Sequence, residues 1–258
     1  MKTFKTLFVA LILIAMSPAT AQDADKIIAN YIENTGGMEA WKNMKTMKAK
    51  GVAQQGGMDY PFEQTIMADG RMVIVVDLQG QKFIPQAFDG EIMWSTNFQS
   101  MQAEAIDTET TMNYKINEAK EFPDPFINYA ENGYAVEFIS EETVEGTECY
   151  KIQLTKNPVM VDGKEEANVS TYYFDKENYV PIMSETTMTS GPSKGATVQT
   201  IYSEYLEAGD IYMAYEVSQK YNGQVGQTIK ITDVVINGEV DEALFSMPVI
   251  TTTTEDKK

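Results

Sequence analysis

Residues 58–96 read MDYPFEQTIMADGRMVIVVDLQGQKFIPQAFDGEIMWST, and this stretch decides the fold class. Runs rich in Val, Ile, Phe and Met are separated by the turn pairs Asp69-Gly70 and Asp89-Gly90. Asp-Gly between two apolar runs is a strong hairpin signal, because both turn residues need positive φ angles. Two such signals in close succession predict a meander of sequential antiparallel strands.

The same pattern extends over most of the chain. Turn residues recur at intervals of about eight to twelve positions, which is typical of an all-β sandwich, a barrel or an open curved sheet. A parallel sheet would need helical crossovers, and these intervals leave no room for them. The predicted strands are 46–55, 58–68, 71–79, 82–88, 91–96, 134–142, 147–156, 168–175, 180–190, 196–206, 211–221 and 226–236.

Two segments depart from the strand pattern. In the first, near 25–47, Ile27, Ile28 and Tyr31 share one helical face. Met38, Trp41 and Met44 follow at three-residue steps and form the apolar stripe of a second short helix. The second segment, near 107–131, reads as helical or irregular. Helices this short are not stable alone in water, so we expect both segments to cover an apolar face of the sheet.

The predicted fold is mainly antiparallel β, in one domain over residues 22–258. A sheet of about ten to twelve strands cannot stay flat, because strand twist accumulates until the sheet curls or splits. The simplest solution is a single curved, open half-barrel with a few helices in its concavity.

Residues 1–21 have the pattern of a secretory signal peptide. Lys2 and Lys5 precede an apolar run at 7–16, and small residues follow up to a cleavage site after Ala21. As a helix, that run would span about 15 Å, roughly half of a bilayer core. We therefore expect an exported, soluble, periplasmic protein with no stable membrane anchor. The only cysteine, Cys149, lies far from the position that lipid attachment would require.

Composition excludes several classes of function. The chain has a net charge of −18 and no basic cluster beyond the signal peptide, which argues against binding nucleic acid. It contains no histidine and one cysteine, so serine triads, cysteine dyads and ordinary zinc sites are excluded. We expect no cofactor, no metal and no enzyme activity, although chemistry by two carboxylates stays open.

Several predicted strands carry more apolar side chains than one packed face requires. Surplus apolar surface has to be buried by helices, by a partner or by a ligand. The candidate residues for an apolar cavity are Met72, Ile74, Val76, Leu78, Ile84, Trp94, Met112, Phe126, Tyr172, Phe174, Met213 and Tyr215.

The order of several segments resembles the periplasmic lipoprotein-sorting superfamily of the LolA/LolB type, most closely its small exported members from Bacteroidetes. After the signal peptide, the matching segments are ENTGGMEAWKNMKTMKAKG (33–51), FDGEIMW (88–94), EETVEGTECYKIQL (141–154), STYYFDKENYVPIM (170–183) and ITDVVINGEVDEALFSMP (231–248). The resemblance implies an open half-barrel plugged by helices, in which the carriers bind acyl chains. Two family features are not matched: the early arginine of the carriers, since Arg71 is the only arginine, and the apolar docking loop of the anchored receptor.

Three functions follow as hypotheses. The first is a periplasmic carrier that binds lipid or acylated protein between sheet and helices. The second is an envelope domain of the same fold that binds a protein partner without lipid. The third is a hydrolase that uses two carboxylates. The sequence specifies neither the cargo nor the oligomeric state.

Overall fold

The computed structural model describes residues 19–191 and 193–248. Its helices are α1 (Ala19–Asn34), α2 (Met38–Lys42) and α3 (Thr108–Ile116), with 3₁₀ helices at Glu118–Lys120 and Glu242–Leu244. The predicted signal peptide lies outside the described residues up to position 18, and its cleavage stays a prediction. No helix within the described ranges is long and apolar enough to cross a membrane.

Fifteen strands are present in the described residues, and all sheet pairs are antiparallel. Thirteen of them form one sheet in the order β6-β5-β4-β3-β2-β1-β15-β14-β13-β12-β11-β8-β7, and β9 and β10 form a separate hairpin. Their bounds are β1 (Thr46–Gln55), β2 (Met58–Met67), β3 (Met72–Leu78), β4 (Gln81–Phe88), β5 (Met93–Thr96), β6 (Ala103–Ala105), β7 (Ala135–Val144), β8 (Thr147–Thr155), β9 (Val159–Val161), β10 (Lys164–Glu166), β11 (Val169–Asp175), β12 (Pro181–Thr187), β13 (Thr197–Ala208), β14 (Ile211–Tyr221) and β15 (Gln224–Ile236).

The prediction of one curved, open, mainly antiparallel sheet with a few covering helices is confirmed. Each of the twelve predicted strands is present, with bounds shifted by a few residues at most. Three strands were not predicted, namely β6, β9 and β10. Each has only three residues, which is too short for an alternating pattern to show in the sequence.

The sheet is open, and its two outer strands are β6 and β7. α1 and α2 pack on one face, against strands that run from β1 to the outer strand β7. Because short helices can contact so many strands only if the sheet curves around them, we call this face the concave face. Ile27, Ile28 and Tyr31 of α1 are buried there, as their shared helical face predicts.

A glycine pair lets α1 end close to the sheet. The Gly37 amide donates to the Ile32 carbonyl and the Gly36 amide to the Glu33 carbonyl, which is the Schellman pattern of a helix end. Gly36 has a φ of 126° and passes so close to the β13–β14 turn that a Cβ atom would collide with the Asp210 carbonyl oxygen. A residue with a side chain could not approach the turn this closely, so the glycine at position 36 allows α1 to end at this distance from the sheet.

α3 covers a second part of the concave face, over β2 to β5. The ring of Tyr114 packs edge-on against Phe88 at 4.9 Å, and its hydroxyl donates to the Gly70 carbonyl at 3.2 Å. The segment near 107–131, which reads as helical or irregular, contains α3 and the short 3₁₀ helix, and residues 121–134 form turns and irregular backbone. Prolines at 123 and 125 explain this, because they remove amide donors and disfavour helix before them.

The outer face of β3 to β5 is also apolar, and the C-terminal segment covers it. Phe245 is buried against Val73, Ala87 and Trp94. The Trp94 indole N–H donates to the Phe245 carbonyl at 2.7 Å, and the Arg71 guanidinium lies 5.3 Å from the Phe245 ring centre. This half of the sheet therefore has packed layers on both of its faces.

Candidate functional site

A hollow of about 360 Å³ lies between the concave face and the elements that cover it. Its floor includes Met47 and Ala49 of β1 and Met213 and Val217 of β14. Its roof is built from α1, α2 and the irregular segment 121–126. A mostly apolar cavity of a few hundred Å³ with a few polar groups is typical of a small-ligand site.

Aromatic rings form the roof and one wall of this hollow. Tyr31 of α1 meets Phe126 edge-on at 6.3 Å and Phe174 at 5.6 Å. Phe126 in turn packs on Tyr172 at 4.8 Å. Edge-to-face pairs of this kind contribute about 0.5–1.5 kcal/mol each beyond their buried area, so they stabilise the rings that shape the hollow.

A buried hydrogen bond ties the two covering helices together. The Trp41 indole N–H of α2 donates to the Thr35 hydroxyl at 3.0 Å, and that hydroxyl donates to the Tyr31 carbonyl at 2.7 Å. The side chains of Trp41 and Thr35 are both almost completely buried. The Trp41 indole N–H and the Thr35 hydroxyl therefore both have hydrogen-bond partners, although apolar side chains surround them.

One carboxyl group reaches into this apolar region. Asp124 accepts a hydrogen bond from the Tyr31 hydroxyl at 2.9 Å and another from the Phe126 amide at 2.8 Å. Burial, only partly offset by these two bonds, raises the pKa of Asp124 to about 6. The carboxyl group lines the hollow, so a bound ligand would contact it.

A second carboxyl group, that of Glu121, lies at the edge of the roof. It receives the Lys156 ammonium at 2.8 Å and the Tyr134 hydroxyl at 3.3 Å. The Lys156 and Glu121 side chains are mostly buried, at 10% and 18% exposure, so this ion pair is held firmly. The ammonium group of Lys156 is therefore paired with Glu121.

Two neutral polar side chains of the lining have no partner among the described residues. The Tyr172 hydroxyl and the Gln64 side-chain amide both line the hollow, and neither has a hydrogen-bond partner among the described residues. The buried polar atoms that are sealed off without a partner belong instead to Asn117 and Asn128. Tyr172 and Gln64 therefore face open space in which a ligand group can reach them.

A larger hollow, of about 670 Å³, lies on the opposite face of the sheet, beside the C-terminal 3₁₀ helix. Val75, Ile84 and Trp94 line it, but so do the charged side chains of Asp77 and Lys82. We regard the concave hollow as the better candidate site, because helices and aromatic rings cover it and its buried polar groups converge.

The structure brings a part of the predicted residues together. Phe126, Tyr172 and Met213 line the concave hollow, and Phe174 and Tyr215 belong to the same apolar core around it. Met72 and Ile74 lie on the same face but pack under α3, away from the hollow. Val76 lines a separate hollow of about 370 Å³ farther along β3, and Leu78 ends that strand half-buried.

Three of the predicted cavity residues are placed elsewhere, and for these the prediction is corrected. Trp94 pairs with Ala87, which pairs with Val73, so it faces the outer layer. Ile84 also faces outward, because a bulge in the β3–β4 pairing shifts the alternation by one residue. Met112 is 49% exposed on the solvent side of α3.

Several site residues were not predicted from the sequence. Tyr31 and Trp41 were assigned to helix faces without a role in binding, and Glu121 and Asp124 were not singled out. Asp124 stands between two prolines in a stretch with several aromatic residues. That context gives a weak signal for a fixed, buried carboxyl group.

The architecture is one large, open, curved antiparallel sheet with helices on one face. Solved structures with this fold include a DUF1329 family protein from Desulfovibrio piger, with 13% sequence identity, a TM-score of 0.58, and coverage of 88% of this chain and 97% of that one. A LolA superfamily protein from Nitrosomonas europaea matches at 11% identity with a TM-score of 0.52, over 88% of this chain and 97% of its own.

A third structure is a domain from Vibrio parahaemolyticus assigned to outer-membrane lipoprotein sorting. It is 11% identical with a TM-score of 0.55 and covers 87% of this chain and 97% of its own. These structures confirm the resemblance at the level of the fold. No family model matches the sequence, and no curated protein matches it.

Proposed function

We propose that this protein is a periplasmic carrier that binds the apolar part of a lipid or of an acylated protein in the concave hollow. The observation that carries the proposal is the hollow of about 360 Å³ between the sheet and the aromatic roof of Tyr31, Trp41 and Phe126. Burial of apolar surface drives binding of an alkyl chain, at about 0.8 kcal/mol per methylene group.

The shared fold supports the proposal without specifying a cargo. One of the similar structures, the Vibrio parahaemolyticus domain, is assigned to outer-membrane lipoprotein sorting. The fold alone does not determine function, so the proposal depends on the chemistry of the hollow itself.

The direct test fills the hollow with a side chain. Val217→Trp adds a large ring to the floor, whereas Val225→Trp makes the same change at a position that is 62% exposed and outside the hollow. We expect Val217→Trp to weaken binding of the apolar dye Nile red by at least about tenfold, or about 1.4 kcal/mol. Val225→Trp should bind the dye like the wild type.

Circular dichroism of both variants shows whether each has folded. Equal dye binding by folded Val217→Trp and wild type would contradict the proposal. Native mass spectrometry of the gently purified wild type provides a second readout, in which we expect lipid or acyl adducts. A defined protein partner without any lipid would instead favour the envelope partner-binding hypothesis.

One observation favours the hydrolase as a second candidate: Glu121 and Asp124 face the same hollow. Two carboxyl groups in a cleft are the minimum for glycoside hydrolysis. Against it, most of the lining is apolar, whereas a sugar would need many polar contacts. A panel of chromogenic glycosides tests this candidate, since turnover that Asp124→Asn abolishes would establish it.

A further inference from the structure

We propose that the hollow selects amphiphiles whose polar end is a hydrogen-bond donor, either a hydroxyl or an amine, over amphiphiles that end in a carboxylate or phosphate. This inference rests on the proposed function, because it describes the chemical class of ligand that the same hollow accepts.

The first argument is the charge of the lining. Glu121 and Asp124 are its two ionisable carboxyl groups, and no Lys or Arg side chain lines the hollow in the described part of the chain. The Lys156 ammonium does not line the hollow and is bound to Glu121 at 2.8 Å. An anionic ligand would therefore be buried beside like charge without a counter-ion, which is costly at low dielectric.

The second argument is hydrogen-bonding capacity. Asp124 already receives the Tyr31 hydroxyl and the Phe126 amide, but a carboxylate has about four acceptor positions. Free acceptor capacity in an apolar hollow calls for a ligand donor. A hydroxyl or ammonium group supplies that donor, whereas a carboxylate supplies none when ionised.

The third argument is the unpartnered Tyr172 hydroxyl. Its pKa is raised well above the ordinary value, first by burial, then by Tyr202 nearby, and then by the negative charges of Glu121 and Asp124. The hydroxyl stays neutral and can both donate and accept. An amphiphile with a hydroxyl group can bond to it directly, and such a hydrogen bond contributes about 0.5–1.5 kcal/mol net.

The experiment compares three probes with the same alkyl chain, namely dodecylamine, dodecanol and dodecanoate, in displacement of Nile red from the wild-type protein. The whole chain is acidic, so the titrations are made at about 0.15 M salt, where surface charges are screened beyond about 8 Å. We expect dodecylamine and dodecanol to bind at least about tenfold more tightly than dodecanoate.

Each outcome has a separate meaning. Equal affinity for all three probes, or tighter binding of dodecanoate, would overturn this inference and leave the proposed function in place. Failure of every probe, together with failure of Nile red, would overturn the proposed function itself.

Variants locate the selectivity. Asp124→Asn should reduce the preference for dodecylamine over dodecanoate by about tenfold, whereas Asp59→Asn, at an exposed carboxyl bonded to Gln54, should keep it. Tyr172→Phe should weaken dodecanol by several-fold, with the exposed Tyr221→Phe as its control. A folded Asp124→Asn that retains the full preference would contradict the assigned role of this carboxyl.

Discussion

At the scale of single residues, Asp124 is the most unusual group of the molecule. Its carboxyl is held inside an aromatic roof by the Tyr31 hydroxyl and the Phe126 amide, yet burial outweighs these bonds and raises its pKa to about 6. Near neutral pH the folded protein therefore holds a partly buried negative charge in a mostly apolar setting. A group kept at such a cost is better explained by ligand contact than by stability. The titratable groups that face it are Tyr31, Glu121, Tyr172, Tyr202 and Tyr205.

Asp124→Asn should stabilise the protein in a pH-dependent way. The folded-state pKa of about 6 lies above the ordinary value of 3.8, so the stabilising contribution of the proton is present at low pH and is lost as the pH rises through 6. The asparagine stays neutral, and we expect it to raise the free energy of unfolding by about 1–3 kcal/mol at about pH 8. The gain should shrink toward about pH 4.

Urea unfolding at both pH values measures this difference, with Asp59→Asn as the exposed control, for which we expect a change within about 0.5 kcal/mol. A stabilisation of equal size at both pH values would contradict a raised folded-state pKa of Asp124, because only a pKa difference between the folded and unfolded states makes the gain depend on pH.

At the scale of elements, the sequence predicts strands that are marked by local turn residues and alternation. It does not predict strands whose position depends on contacts between distant segments. The hairpin signals placed twelve strands correctly, because turn residues and alternation are local. They did not place β9 and β10, whose position depends on α3: the Asn113 amide donates to the Met160 carbonyl and accepts from the Met160 amide, both at 2.7 Å. The same limit explains Ile84, because a bulge in the pairing of β3 with β4 shifts the alternation, and strict alternation along the sequence then assigns this residue to the wrong face.

The Asn113 contact gives a prediction for this part of the fold. Asn113→Ala removes both hydrogen bonds to Met160 and should release the β9–β10 hairpin from α3 at a cost of about 1–3 kcal/mol. Hydrogen exchange of residues 159–166 measures the release directly. Met112→Ala, one position earlier at an exposed side chain, is the matched control and should leave that exchange unchanged. Equal protection in both variants would mean that other contacts hold the hairpin.

At the scale of the whole molecule, one sheet separates two apolar layers that are covered in different ways. The outer layer, around Phe245 and Trp94, is closed by the C-terminal segment and a buried hydrogen bond. The concave layer is covered by helices that leave a hollow with unpartnered polar groups. The open sheet makes this division possible, because its strands expose apolar side chains on both faces and each face needs its own cover.

The excess of acidic residues acts on the molecule as a whole. With 38 acidic and 20 basic residues, the chain has a net charge of −18 at neutral pH, and self-repulsion of this kind destabilises a compact fold. Added sodium chloride screens the repulsion, so we expect about 0.5 M salt to raise the melting temperature by about 2–4 °C at neutral pH, which corresponds to about 1 kcal/mol. Near the isoelectric point of about 4.4 the net charge vanishes, and the same salt should have little effect. Calorimetry at the two pH values measures the change in melting temperature that salt causes. An equal change at both would mean that salt acts through its exclusion from the protein surface and not through screening of charge.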